Sequence, residues 1–202
     1  MHGLILKTLQ VFVQDTYGPD SWADIADQAA LDVPEFEAML NYPKEIFSDV
    51  LQAGEKVLNK PWEAILEDVG TYLVSHPNSE GLRRLLRFGG VDFTEFLHSL
   101  DDLPDRARLA VADLKLPDLE LRDLTSVQFS LKVEGDLPGF CFVIMGVLRA
   151  MADDYGALVL LDHAGGPSER LQLVDVTVVE TAYAEGREFE LGAVHVPSEG
   201  AA

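Results

Sequence analysis

The hydrophobic period of this chain changes once, and that change constrains the fold more than any other feature. Up to about residue 110 the apolar side chains recur at threes and fours, and from about residue 120 they alternate with polar ones. A spacing near 3.6 puts side chains on one face of a helix, whereas alternation puts them on one face of a strand. In residues 3–17, Ile5, Leu9, Phe12 and Val13 share a face. Gly18-Pro19 ends that helix, and Asp20 or Ser21 caps a second with Trp22, Ile25 and Ala29 inward. Pro34 opens a short helical turn carrying Phe36 and Met39, and Pro43 begins a helix that runs to about Leu58. Pro61 sits in the first turn of the next, where its missing N–H does no harm, and His76-Pro77 ends it. A sixth helix covers about 79–88, Gly89-Gly90 punctuates it, and Phe93, Phe96, Leu97, Leu100 and Leu103 form a further stripe.

Then Glu120–Thr125 and Ser126–Glu134 alternate as half-buried strands. Pro138-Gly139 precedes a long apolar helix from Phe140 to about Asp154. Two more strands, Ala157–His163 and Arg170–Glu180, flank Ala164–Ser168 read as a hairpin loop. The expected class is α+β: a helical part (about 1–112) followed by a ββαββ part (about 118–182) with an antiparallel sheet. Residues 1–182 form one domain in this reading. Residues 183–202 form a partly disordered extension with a short strand at Phe189–Val196.

Composition removes several function classes. A net charge of −20, from 35 acidic and 15 basic residues, repels nucleic acid and anionic membrane surfaces. The tight basic cluster Arg83, Arg84 and Arg87 is read as a solvated helix face offsetting nearby acids. No apolar run is long enough to insert in a membrane, and Met1–Lys7 lacks the layout of a signal peptide. The single Cys141 cannot close an internal disulfide, so the expectation is a cytoplasmic protein. There is no phosphate loop, nucleophile elbow or zinc helix. The acidic pairs Asp101-Asp102 and Asp153-Asp154 point apart on a helix and read as caps or solvated groups. His2, His76, His98, His163 and His195 are scattered without metal-ligand spacing, so neither a catalytic nor a metal-binding set is expected.

Four short words occur in a telling order: Met1-His2-Gly3-Leu4-Ile5, Tyr17-Gly18…Trp22, Phe96…Leu100-Asp101-Asp102-Leu103 and Pro138-Gly139-Phe140. Together they resemble the heme nitric oxide/oxygen-binding (H-NOX) family across residues 1–182. That family supplies the gas-sensing module of soluble guanylate cyclases and stand-alone bacterial sensors. The resemblance implies a proximal histidine directly after the Leu-Asp-x-Leu word, and Pro104 stands there. Arg106, Leu109 and Pro117, a neighbouring pocket position, keep the family's spacing, so no shift of register supplies a histidine. It also implies a Tyr-x-Ser-x-Arg motif that grips the heme propionates, and those positions hold Val133, Gly135 and Leu137. His98 lies six positions before Pro104, a rotation of roughly 240° and a shift of about 9 Å, so it cannot aim at the same point.

The expectation is therefore a non-enzymatic H-NOX-like signalling module that does not hold heme in the family's usual way. It would carry no cofactor and act in trans on a partner such as a histidine kinase or cyclase. Any remaining pocket would be apolar, either filled by side chains or open to an apolar small molecule. One alternative is a working heme sensor with an altered or absent axial ligand. A second is a protein-binding scaffold without a small-molecule ligand.

Overall fold

A computed structural model describes residues 1–188 of the chain. Helices α1 (Gly3–Tyr17), α2 (Pro19–Gln28), α3 (Glu45–Leu58), α4 (Trp62–Ser75), α5 (Glu80–Arg87), α6 (Phe93–His98) and α7 (Leu103–Ala110) precede the first strand. Strands β1 (Asp118–Asp123) and β2 (Gln128–Glu134), helix α8 (Phe140–Tyr155), and strands β3 (Leu158–Ser168) and β4 (Leu171–Glu180) complete the order. The α+β reading holds, and the sheet is antiparallel in the order β1-β2-β4-β3. The expected strand at Phe189–Val196 and the tail beyond it lie outside the described residues.

Local physics moved several boundaries. Gly18 (φ 92°) ends α1 and directly precedes α2, whose first residue is Pro19, so neither Asp20 nor Ser21 is the cap. Trp22, Ile25 and Ala26 are the buried residues of α2. Ala29 lies just past its end and is only half-buried. The turn expected after Pro34 is not helical; Phe36 is buried but Met39 is 75% exposed. Side chains hold that loop instead: Trp22 Nε1 donates to the Pro34 carbonyl at 2.8 Å, and Phe36 N donates to Gln10 Oε1 at 3.0 Å. The stripe from Phe93 to Leu103 is broken by a 3₁₀ turn at Leu100–Asp102, yet all five of its apolar side chains are buried. Pro104 falls in the first turn of α7, where proline is tolerated.

The segment Ala164–Ser168 belongs to β3 rather than to a loop, because register shifts beside Gly165 absorb it as an irregular strand end. Phe129, Leu131 and Val133 of β2 and Val174, Val176 and Val178 of β4 are buried with α8 in one core. A second core joins α1 to α4, and Leu137, Phe142 and Val143 pack against both. The two cores meet where α4 crosses α8 with almost no side chain between their backbones. A Cβ on Gly146 would collide with the Glu67 carbonyl oxygen, and one on Gly70 would stand 2.8 Å from Val147 N. Among the described residues no helix is long and apolar enough to cross a membrane.

Candidate functional site: an apolar cavity between the two cores

The close α4–α8 crossing leaves a cavity of about 300 Å³ beside it. Its walls come from α1 (Leu4, Ile5, Thr8, Leu9), α4 (Leu66, Val69, Leu73), α5 (Leu82, Leu85, Leu86) and α7 (Leu103, Ala107, Ala110). The rest comes from Phe47 of α3, the α7–β1 connection (Val111, Leu114, Leu116), Leu137, Pro138 and α8 (Phe140, Val143, Ile144, Val147). Leu86, Leu103 and Ile144 are buried, whereas Leu4, Leu85 and Val111 are half-buried and Ala110 is exposed, so the space reaches solvent on one side. Thr8 is the one polar side chain in the wall.

The family-matched positions are divided around this space. Leu137 lines it and packs against both cores. Pro104 is buried on α7, but Leu103 and Ala107, not Pro104, form that part of the wall. Val133 is buried in the sheet core opposite Leu119 of β1 and Gln172 of β4. Gly135 lies against buried Pro117; an added Cβ would stand 2.8 Å from both Cα and Cβ of that proline. Gly135 N also donates to the Arg170 carbonyl at 2.9 Å, which fixes its backbone.

These residues do not fit a heme. The wall holds no histidine, cysteine, tyrosine or methionine to bind iron, and no arginine or lysine to hold propionates. The other side chains able to bind iron near this space lie outside its wall. His98 is half exposed, with its ring edge-on to Phe129 and Nε2 3.8 Å from Asp123. Buried Cys141 lies with Sγ 3.9 Å from His163 Nε2 and is absent from the wall that its neighbour Phe140 helps to form. Burial pushes the Cys141 thiol up, which disfavours the thiolate a metal requires. Met145 and Met151 are buried in the sheet-side core. Among the described residues no group of three or more His, Cys, Asp or Glu side chains is arranged to hold a metal ion.

The basic cluster on α5 is not a solvated face. Asp154 at the end of α8 is 1% exposed, and Arg83 Nε donates to its Oδ1 at 2.7 Å. Arg87 Nε lies 3.6 Å from Oδ2, and Arg187 Nε lies 3.8 Å from Oδ1. Burial works against the Arg83 charge, but Asp154 and Glu80 together more than offset it, so the guanidinium is held above its ordinary pKa. Arg83 also donates to Glu80 Oε1 at 3.2 Å and to the Glu188 carbonyl at 3.1 Å. Only Arg84 of the three keeps the predicted exposed character, beside Glu80. The same helix presents Leu82, Leu85 and Leu86 to the cavity, residues that the sequence analysis did not single out.

The sequence profile described as Haem-NO-binding matches residues 2–163. Soluble guanylate cyclase gcy-31 of Caenorhabditis elegans is 20% identical over 154 residues, covering 76% of this chain and 22% of the relative. Soluble guanylate cyclase 89Da of Drosophila melanogaster is 20% identical over 183 residues, covering 87% of this chain and 27% of the relative. The chain thus spans about a quarter of the length of these two relatives. The Fe(II) unliganded H-NOX protein from K. algicida superimposes with a TM-score of 0.77 at 15% identity, covering 92% of this chain and 100% of that one. At that identity the likeness shows the fold.

Proposed function

The chain belongs to the haem-NO-binding (H-NOX) family, and from that premise we propose that it is a non-enzymatic sensor module that does not hold heme by the family's contacts. H-NOX domains are heme-based gas sensors found in guanylate cyclases, so the sensor role follows the family, while the loss of heme is read from this chain's own residues. One observation carries the reading: the cavity between the two cores has a wall of apolar side chains and Thr8, with neither an iron ligand nor a cation. A ferrous heme would there meet no axial donor side chain, and its propionates would find no cationic side chain in the wall to hold them.

The surroundings of the substituted positions support it. Gly135 packs on Pro117 without room for a Cβ, so a serine cannot return there unless the backbone moves. We take residues 1–182 as one unit, since Leu137, Phe142 and Val143 belong to both cores. What the module senses would move the helical part against the sheet part, and a signalling partner of the kinase or cyclase class would read that movement.

The test is spectroscopic. Protein purified from heme-supplemented cells should be colourless, and adding ferrous heme and then nitric oxide should produce no stoichiometric Soret band. A Soret band at one heme per chain would overturn the proposal and favour altered ligation.

A further inference from the structure

Helix α5 has eight residues, fewer than the roughly 12–15 that an isolated helix needs, so its surroundings must hold it. Leu82, Leu85 and Leu86 face the cavity, where a side chain meets fewer atoms than in a filled core. The stronger hold lies on the side that carries Arg83 and Arg87, one turn apart. Arg83 reaches Asp154 at the end of α8, and the Arg87 guanidinium lies 3.9 Å from the centre of the Tyr155 ring. Tyr155 Oη donates in turn to the Gly90 carbonyl, just past α5, at 2.8 Å.

The chain after β4 completes this hold, because residues 183–188 come back across the end of α8. Tyr183 N and Ala184 N donate to the Gly156 carbonyl at 2.9 and 3.0 Å, and Arg187 N donates to the Asp154 carbonyl at 2.9 Å. The Glu188 carbonyl then accepts from Arg83 Nη2 at 3.1 Å. The approach is close: a Cβ on Gly186 would stand 2.6 Å from the Asp154 carbonyl oxygen. Yet every residue from 183 to 188 is exposed, so backbone hydrogen bonds and the Arg187–Asp154 pair hold this segment without a buried side chain. Segments held in that way open at low free-energy cost, and this one can leave without opening either core. Arg83 joins it to the helix that walls the cavity.

We propose that residues 183–188 are a releasable strap that clamps α5 over the cavity, so that cavity and strap are coupled through Arg83. Such coupling gives the sensor module proposed above its output and rests on that reading for its use. A cavity of about 300 Å³ is at the small end of ligand pockets, which run from about 300 to 1,000 Å³, so most bodies entering it need α5 to yield. A partner that draws the strap away favours entry, and by reciprocity entry loosens the strap.

Hydrogen exchange read by mass spectrometry on the full chain tests this. Gly186→Val drives a side chain against the Asp154 carbonyl, and Arg187→Pro removes the amide which that carbonyl accepts from. Either should speed exchange of the Leu85–Phe88 amides about tenfold or more, the worth of one hydrogen bond to a charged group, and leave α3 unchanged. Glu188→Ala keeps the carbonyl and should exchange like the parent. Both strap variants should bind the neutral fluorophore N-phenyl-1-naphthylamine about fivefold or more tightly than the parent, and in the parent the fluorophore should speed exchange at Tyr183–Arg187. Unchanged α5 exchange in both variants would overturn the strap, as would α3 speeding equally in both. Equal affinity for the fluorophore, absent binding included, would overturn the coupling. The heme-free reading fails by a Soret band, which none of these measurements reads, so the two ideas fail separately.

Discussion

Asp154→Asn keeps the shape of a buried side chain and removes its charge. Asp154 is 1% exposed, Arg83 is 5% exposed, and their hydrogen bond is 2.7 Å long. Removing one partner of a buried ion pair costs about 3–5 kcal/mol, because the other charge stays in a place that water cannot reach. Arg83 would keep Glu80 Oε1 at 3.2 Å and the Glu188 carbonyl at 3.1 Å, which places the loss near the lower end, about 3 kcal/mol. For a chain of 202 residues each kcal/mol lowers Tm by roughly 2–4 °C, so Asp154→Asn should melt about 6–12 °C early. Thermal and urea unfolding followed by circular dichroism measure this, with Asp105→Asn as the control. The Asp105 pair with Arg108 is exposed on α7 and is worth under about 1 kcal/mol. Replacing both partners, as Arg83→Met with Asp154→Leu, should cost less than Asp154→Asn alone. If Asp154→Asn falls within about 1 kcal/mol of Asp105→Asn, the cluster around Asp154 is not a buried charge centre and the reasoning fails.

Other expectations follow from close packing and titration. Gly146→Ala places a methyl on the Glu67 carbonyl and should cost about 1–3 kcal/mol or more by forcing α4 and α8 apart, measured by urea unfolding. Gly135→Ser should lose about 1–3 kcal/mol through its clash with Pro117, which the same curve reports; an unchanged midpoint would show that the backbone yields freely there. Burial of Tyr72, with its hydrogen bond to Asp15, and burial of Tyr155 push both phenols up to about 12. The folded chain then holds protons that the unfolded chain releases above about pH 10, so stability should fall as pH rises from about 10 to 12. Absorbance titration of Tyr72→Phe and Tyr155→Phe should each lose one late-ionising phenol. Pro104→His alone should give no Soret band on reconstitution, because Leu103, Ala107 and Ala110, rather than Pro104, form the α7 part of the cavity wall.

Most elements were legible because apolar periodicity reports which face is buried. The stripe Phe93–Leu103 was correctly apolar, but its continuity as one helix was not, since a change from α to 3₁₀ winding keeps the same face buried. The Gly-Gly-Pro run after Ala164 read as a loop because those residues usually break structure, and only the pairing of β3 with β4 shows them carried in a strand. The α5 arginines read as solvated because their partner Asp154 is distant in sequence, and burial of a charge is set by tertiary packing. The assignment of Pro104, Val133, Gly135 and Leu137 to the family's heme contacts rests on resemblance alone. The cavity itself was not legible, because a leucine lining a void and a leucine filling a core have the same pattern along the chain.

The departures at Pro104, Gly135 and Leu137 are each accommodated by their surroundings, and this bears on whether they can be undone singly. Pro104 occupies the first turn of α7, where its ring is buried and no backbone donor is lost. Gly135 accepts the close approach of Pro117, so any larger residue displaces the strand end held by the hydrogen bond to Arg170. Leu137, at the position that the resemblance assigns to the family's arginine, joins the helical core to the sheet core while walling the cavity. An arginine at 137 would remove that shared apolar contact and bring a cation to a wall that offers it no partner, so it would be destabilising before any heme arrived. A histidine at 104, a serine at 135 and an arginine at 137 therefore help only if introduced together with a wider cavity. Each introduced alone should weaken the fold and restore nothing, as the proposed loss of heme predicts.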